Sequence, residues 1–289
     1  MSCYTLTSAQ RMELRESYSN IPSPYDDYPG ALFRLHKAFG SSLPEDLLRD
    51  IFLFGRDPAS PGVILIDGLP TDIELPVTPT AGQIQSGRAT FDSEKTLLGL
   101  AQLMGTPVGY LTEKDGNQIH HVVPMPGGEY TQSNRGSKVF LDYHNDSMYD
   151  DSLIFNSHNP DYLLLLCLRP DRDGQAKTLY ADARDLCQVL DKDTLNTLRQ
   201  PCFRMAAPSN YTLLVRGEKI WSHPVPVLSG PQRLPEIYLA ANGVVGIDGK
   251  AEKALLALQD ACEVVGERNA VYLHAGQAML INNRKAKEA

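Results

Sequence analysis

Phe140-Leu141-Asp142-Tyr143-His144-Asn145-Asp146 reads as a β-strand running into a turn, with a histidine and a carboxylate two residues apart. In extended backbone, residues i and i+2 project to the same side. The His144 imidazole and the Asp146 carboxylate can therefore grip one face of a metal ion and leave the opposite face open. That spacing is half of a facial triad of two histidines and one carboxylate. Taken alone it equally suits a surface histidine hydrogen-bonded in a turn, so the surrounding sequence has to decide.

Outward from this segment the texture is that of short strands divided by Pro and Gly. From about Gly109 onward, candidate strands fall at 118–123, 138–143, 162–168, 177–180, 202–206, 212–215, 219–222, 236–239, 271–273 and 278–282, interrupted by a helix at about 250–265. The first third is helical in pattern. Residues 7–18, 29–39 and 44–54 carry helical apolar spacing, and Pro44 followed by Glu45 and Asp46 is a helix start. Val63-Ile64-Leu65-Ile66 is a continuous apolar β run, and 93–104 returns to helix with Leu97, Leu98, Leu100, Ala101 and Leu103 on one face. Short strands with one late helical insertion predict a mainly β chain with flanking helices, built as a double-stranded β-helix, the cupin-like jelly roll. A single domain over 1–289 is expected, its helical portion at about 1–60 packed on the jelly-roll core.

Composition narrows the function classes. The formal charge of the 289 residues is −8, with acidic and basic residues interspersed, which argues against a nucleic-acid surface. No stretch approaches the roughly 18 to 20 apolar residues that span a bilayer. The amino terminus, MSCYTLTSAQRMELRE, turns charged at once with no apolar signal core, so a cytoplasmic location is expected. The five cysteines, Cys3, Cys167, Cys187, Cys202 and Cys262, form no Cys-x-x-Cys pair and read as reduced.

Read as one passage, VVPMPGGEYTQSNRGSKVFLDYHNDSMYDD followed by NPDYLLLLCLRPDRDGQAKTLYADARDL carries further ordered features. They are a Pro-x-Pro-Gly turn, a Ser/Gly-rich loop, a hydrophobic strand ending in His-x-acid, a Leu-x-Leu-Cys-Leu-Arg-Pro-Asp strand-turn, and an Ala-x-Thr strand followed by a helix. This passage resembles the clavaminate synthase-like branch of the Fe(II)/2-oxoglutarate oxygenases, especially its hydroxylases of free amino acids, from about Pro61 to Ala286. The resemblance implies Fe(II) held by His144 and Asp146 as catalytic metal ligands, with 2-oxoglutarate as co-substrate. It also implies that Thr178 binds the 2-oxoglutarate carboxylate and that Asn134 and Ser137 receive the polar end of the substrate. Read without the resemblance, Thr178 is a β-branched residue that suits a strand, and the loop residues are simply solvated.

The implied activity is hydroxylation of an unactivated carbon of a free L-amino acid with O2, giving the hydroxy amino acid, succinate and CO2. L-Lysine or L-arginine is the expected substrate, with asparagine kept open. Asp248 is the one acidic residue found in the region where the resemblance expects carboxylates facing a distal amine or guanidinium. A homo-oligomer is compatible with the resemblance.

The match fails at the carboxyl end. Family members carry a second histidine in a strand like Asp-Asn-Arg-Arg-Ala-Val-His-Gly, then an arginine that binds 2-oxoglutarate. Here Asn282-Asn283-Arg284-Lys285-Ala286-Lys287 leads to Glu288 where the histidine should stand, and no arginine follows. Three explanations compete: donors beyond Ala289, Glu288 as a substitute ligand, or a non-catalytic relative. The first is the expectation, because the match holds to Ala286 and then stops abruptly. The competing functions are a catalytically inactive jelly-roll binding protein and a zinc hydrolase on a cupin-like barrel, the latter disfavoured by Thr178.

Overall fold

The computed structural model describes residues 1–78, 88, 90–111, 116–123, 143–146, 159–207, 218–241 and 243–289. Its central sheet has the order β1-β2-β9-β3, formed by β1 (Ser2–Thr5), β2 (Val63–Asp67), β9 (Ala278–Asn282) and β3 (Tyr162–Leu166). β1 runs parallel to β2 and the other pairs are antiparallel, with Ile64 opposite Leu280 and Leu280 opposite Leu164. Alternation along these strands sends Ile64, Ile66, Ala278 and Leu280 to one face, and Val63, Met279 and Ile281 to the other.

Helices α1 (Ser8–Ser17), α2 (Tyr28–Ser42), α3 (Glu45–Phe54) and α4 (Asp92–Met104) cover the first face with Leu14, Leu35, Phe39, Leu47, Ile51, Phe54 and Leu98. Their starts are written locally. Thr7 and Gln10 close a capping box on α1, and Asp27 accepts the Gly30 amide at the head of α2. Phe54 packs against Tyr162 of β3, ring centroids 5.7 Å apart and the planes tilted by 35°.

The carboxyl-terminal half builds a second core. It contains β4 (Tyr180–Asp182), α5 (Ala183–Val189), α6 (Lys192–Leu198), β5 (Phe203–Met205), β6 (Leu228–Ser229), β7 (Glu236–Ile237), β8 (Val244–Gly246), α7 (Gly249–Arg268) and β10 (Ala286–Glu288). The buried face of α7, through Ala251, Leu255, Leu258, Cys262 and Val265, packs with Leu186, Leu198, Phe203 and Met205. β10 pairs with β4, β5 with β8 and β6 with β7, each antiparallel.

Among the described residues, helices hold more of the chain than strands do, so the mainly β expectation is met only as sheets flanked by extensive helix. The candidate strands at 212–215 and, but for Tyr143, at 138–143 lie outside the described residues. Two expected strands shrink to single bridges, Thr178 to Val271 and Ala206 to Trp221. No described helix is long and apolar enough to cross a membrane.

Candidate metal centre

The centre is assembled from two distant pieces of chain. β9 ends in a tight turn, where the Asn282 carbonyl accepts the Lys285 amide at 3.0 Å and its Oδ1 accepts the Arg284 amide at 3.1 Å. The turn delivers β10 alongside β4, with Glu288 opposite Tyr180. His144 then docks on the free edge of β10: its amide donates to the Glu288 carbonyl at 3.1 Å and its carbonyl accepts the Glu288 amide at 3.2 Å.

This pairing brings His144 and Glu288 together, and the i, i+2 relation adds Asp146. One ligand atom from each of the three residues lies within 4.8 Å of the other two. His144 is buried, 6% exposed. Burial, and secondarily the neighbouring Asp146 charge, push the Glu288 carboxyl above the usual carboxylate range. Two carboxylates this close repel unless a proton or a cation lies between them. That is a donor chemistry a divalent cation fits.

Asn145, between the two expected ligands, points the other way and fixes both. Its amide donates to the Leu239 carbonyl and its Oδ1 accepts the Leu239 amide, each at 2.8 Å, while its Nδ2 donates to the Asn283 carbonyl. Asn283 in turn accepts the Asp146 amide at 3.1 Å and donates to the carbonyls of Asp146 and Pro160, both at 2.8 Å. Both asparagines are buried. Neither was singled out from sequence, because the pairing spans most of the distance from the His-x-Asp segment to the carboxyl terminus. Replacing Asn145 with alanine strands the Leu239 amide, so we expect a loss of about 2–3 kcal/mol in denaturant melts. Metal affinity is expected to fall about 10- to 100-fold in the same variant, as when a residue orienting a ligand is lost.

Lys287 alternates away from Glu288 into the second core. It is fully buried, donates from Nζ to the Ile237 carbonyl at 2.6 Å and lies 5.8 Å from the Tyr238 ring centre. Burial pushes its ammonium well below the ordinary lysine range. Removing a buried cation that, among the described residues, has a carbonyl but no carboxylate partner relieves desolvation. Lys287→Met is expected to raise stability by about 1–2 kcal/mol in urea melts.

The other expected site residues fall out differently. Thr178 is half-buried, two residues before Tyr180, its backbone paired in both directions with Val271 at 2.9 Å. Asn134 and Ser137 lie outside the described residues. Asp248 is exposed and caps α7, its Oδ1 accepting the amides of Lys250 and Ala251 at 3.0 and 2.8 Å. The carboxylate expected to face a substrate amine is thus occupied as a helix N-cap. The signal was present in the sequence, since an aspartate immediately before a helical run reads as a cap.

An imidazole and two carboxylates converging at a strand edge make a donor set that could hold a divalent cation in a mononuclear site. Comparison with known proteins specifies which kind. No family model matches the chain. It is 34% identical over 246 residues to the L-asparagine oxygenase of Streptomyces coelicolor, covering 83% of this chain and 68% of that protein. It is 31% identical over 199 residues to clavaminate synthase 2 of Streptomyces clavuligerus, covering 66% and 58% respectively. A crystal structure of asparagine oxygenase with Fe(II), 2S,3S-3-hydroxyasparagine and succinate superposes with a TM-score of 0.84 at 29% identity, covering all of this chain and 87% of that one. The chain belongs to the clavaminate synthase-like family of Fe(II)/2-oxoglutarate oxygenases.

Proposed function

We propose that this chain hydroxylates an unactivated carbon of a free L-amino acid, with Fe(II) held by His144 and Asp146 and with 2-oxoglutarate and O2 as co-substrates, releasing succinate and CO2. The observation that carries this reading is the convergence of the His144 and Asp146 donor atoms in a chain of this family. Fe(II), when bound, supplies the oxidising chemistry that couples 2-oxoglutarate decarboxylation to attack on a C–H bond. The residues of the chain position the reactants: Asn145 and Asn283 hold the ligand segment, Thr178 offers a hydroxyl to the 2-oxoglutarate carboxylate, and Asn134 and Ser137 receive the amino acid. We read 1–289 as one oxygenase domain whose sheets belong to a double-stranded β-helix, with the helices of about residues 1–60 packed on it, acting in the cytoplasm.

Asp248, the one carboxylate found where the resemblance expects several to face a basic side chain, is taken up by α7. With that charge committed, and with an L-asparagine oxygenase among its relatives, the substrate order we favour is L-asparagine before L-lysine and L-arginine. The test is an amino-acid panel led by these three, incubated with the protein, Fe(II), ascorbate and 2-oxoglutarate. Succinate should form together with a product about 16 mass units heavier than one amino acid, the increment of one inserted oxygen atom. A panel in which no amino acid stimulates succinate release would leave the inactive binding protein as the better reading.

A further inference from the structure

We infer that Glu288 is the third protein donor of the metal centre, so that this chain holds its cation with one imidazole and two carboxylates in place of the two imidazoles and one carboxylate that its family resemblance predicts. The inference rests on the reading of His144 and Asp146 as ligands and extends it to a residue of this chain's own.

Backbone geometry on both sides of Glu288 carries it. One edge of β10 is paired with β4 and the other exchanges two hydrogen bonds with His144, so the origin of the Glu288 side chain is held from both directions. Alternation settles which way the side chain points. Lys287 projects into the second core onto the Ile237 carbonyl, and Glu288 projects to the opposite side of the strand. There its carboxylate meets His144 and Asp146 within 4.8 Å.

The substitution changes the chemistry of the centre in two ways. Exchanging an imidazole for a carboxylate makes the donor set harder, favouring Mn(II) and Fe(II) relative to Zn(II), Ni(II) and Cu(II) compared with a two-imidazole centre. It also takes the formal charge of a divalent ion with its protein ligands from +1 to 0, which weakens the pull on the 2-oxoglutarate dianion.

The experiment is a titration of the full chain with Mn(II), followed by electron paramagnetic resonance of the free ion, in wild type, His144→Ala, Glu288→Gln and Glu288→His. Co(II) absorption spectra are recorded in parallel. Glu288→Gln keeps the volume of the side chain, and circular dichroism melts confirm that each variant is folded. Mn(II) binding should weaken by at least about 10-fold in both His144→Ala and Glu288→Gln. Glu288→His should shift the Co(II) spectrum and raise the ratio of Ni(II) to Mn(II) affinity, a change that a merely structural glutamate would not produce. If Mn(II) affinity falls in His144→Ala but holds within twofold in Glu288→Gln, with an unchanged Co(II) spectrum in Glu288→His, the inference is overturned and the centre keeps its first two ligands. Absence of Mn(II) binding by the wild type would overturn both readings.

Discussion

Replacing His144 with alanine is expected to lower amino-acid-stimulated succinate formation by about 1,000-fold or more, with the fold left standing. The backbone of residue 144 keeps its two hydrogen bonds to Glu288 in this variant, because alanine changes neither amide nor carbonyl. What is lost is the one imidazole among three converging donors. A bound metal contributes several kcal/mol to its reaction, and about 4 kcal/mol corresponds to a factor of roughly 1,000. Coupled kinetics and a thermal melt on the same preparation check both halves. Turnover within about 10-fold of wild type would mean that the chemistry does not run through this histidine.

The second large effect concerns stability. Arg88→Ala should cost about 3–5 kcal/mol, the usual penalty for stranding buried charges. Arg88 donates to Asp72 at 2.6 Å and to both carboxylate oxygens of Glu94, and all three side chains are at most 9% exposed. Asp72 also accepts from the hydroxyls of Thr90 at 2.7 Å and Ser93 at 2.6 Å, and from the amides of Asp92 and Ser93 at 3.2 Å. Burial works against the Asp72 charge, yet the Ser93 and Thr90 hydroxyls and the Arg88 guanidinium together hold its carboxyl below the ordinary range. A depressed carboxyl pKa contributes stability that is present above the unfolded value of about 3.9 and is lost as pH falls through the folded value. Urea melts at pH 7 and at pH 3 should therefore show the gap between wild type and Arg88→Ala narrowing at the lower pH. A constant gap would mean that the arginine acts through packing alone.

Several elements were legible because their signals are local. The leucine spacing of 93–104 gave α4, observed at Asp92–Met104, and the apolar run at 162–168 gave β3 at Tyr162–Leu166. The His144 and Asp146 pairing needed only the two-residue period of a strand. Glu288 was in view as the residue standing where a histidine was expected. What the sequence could not supply was the bridge that sets it against His144, a contact between segments far apart in the chain. The same holds for Asn145 and Asn283, two ordinary asparagines until the turn after β9 presses them together. β1, a short and partly polar strand, and β10, with a lysine at its centre, lack the apolar run by which strands are read. The capping role of Asp248 is itself a local signal, since an aspartate directly before α7 has backbone amides to accept.

The proposed chemistry turns on a metal ion shared by residues 144 and 146 against β10. The most direct measurement is anomalous diffraction from crystals of the full chain grown anaerobically with Fe(II) and 2-oxoglutarate. One iron peak bonded to the imidazole of His144 and a carboxylate oxygen of Asp146 is expected. An iron peak away from both side chains, or crystals that take up no iron under these conditions, would contradict it.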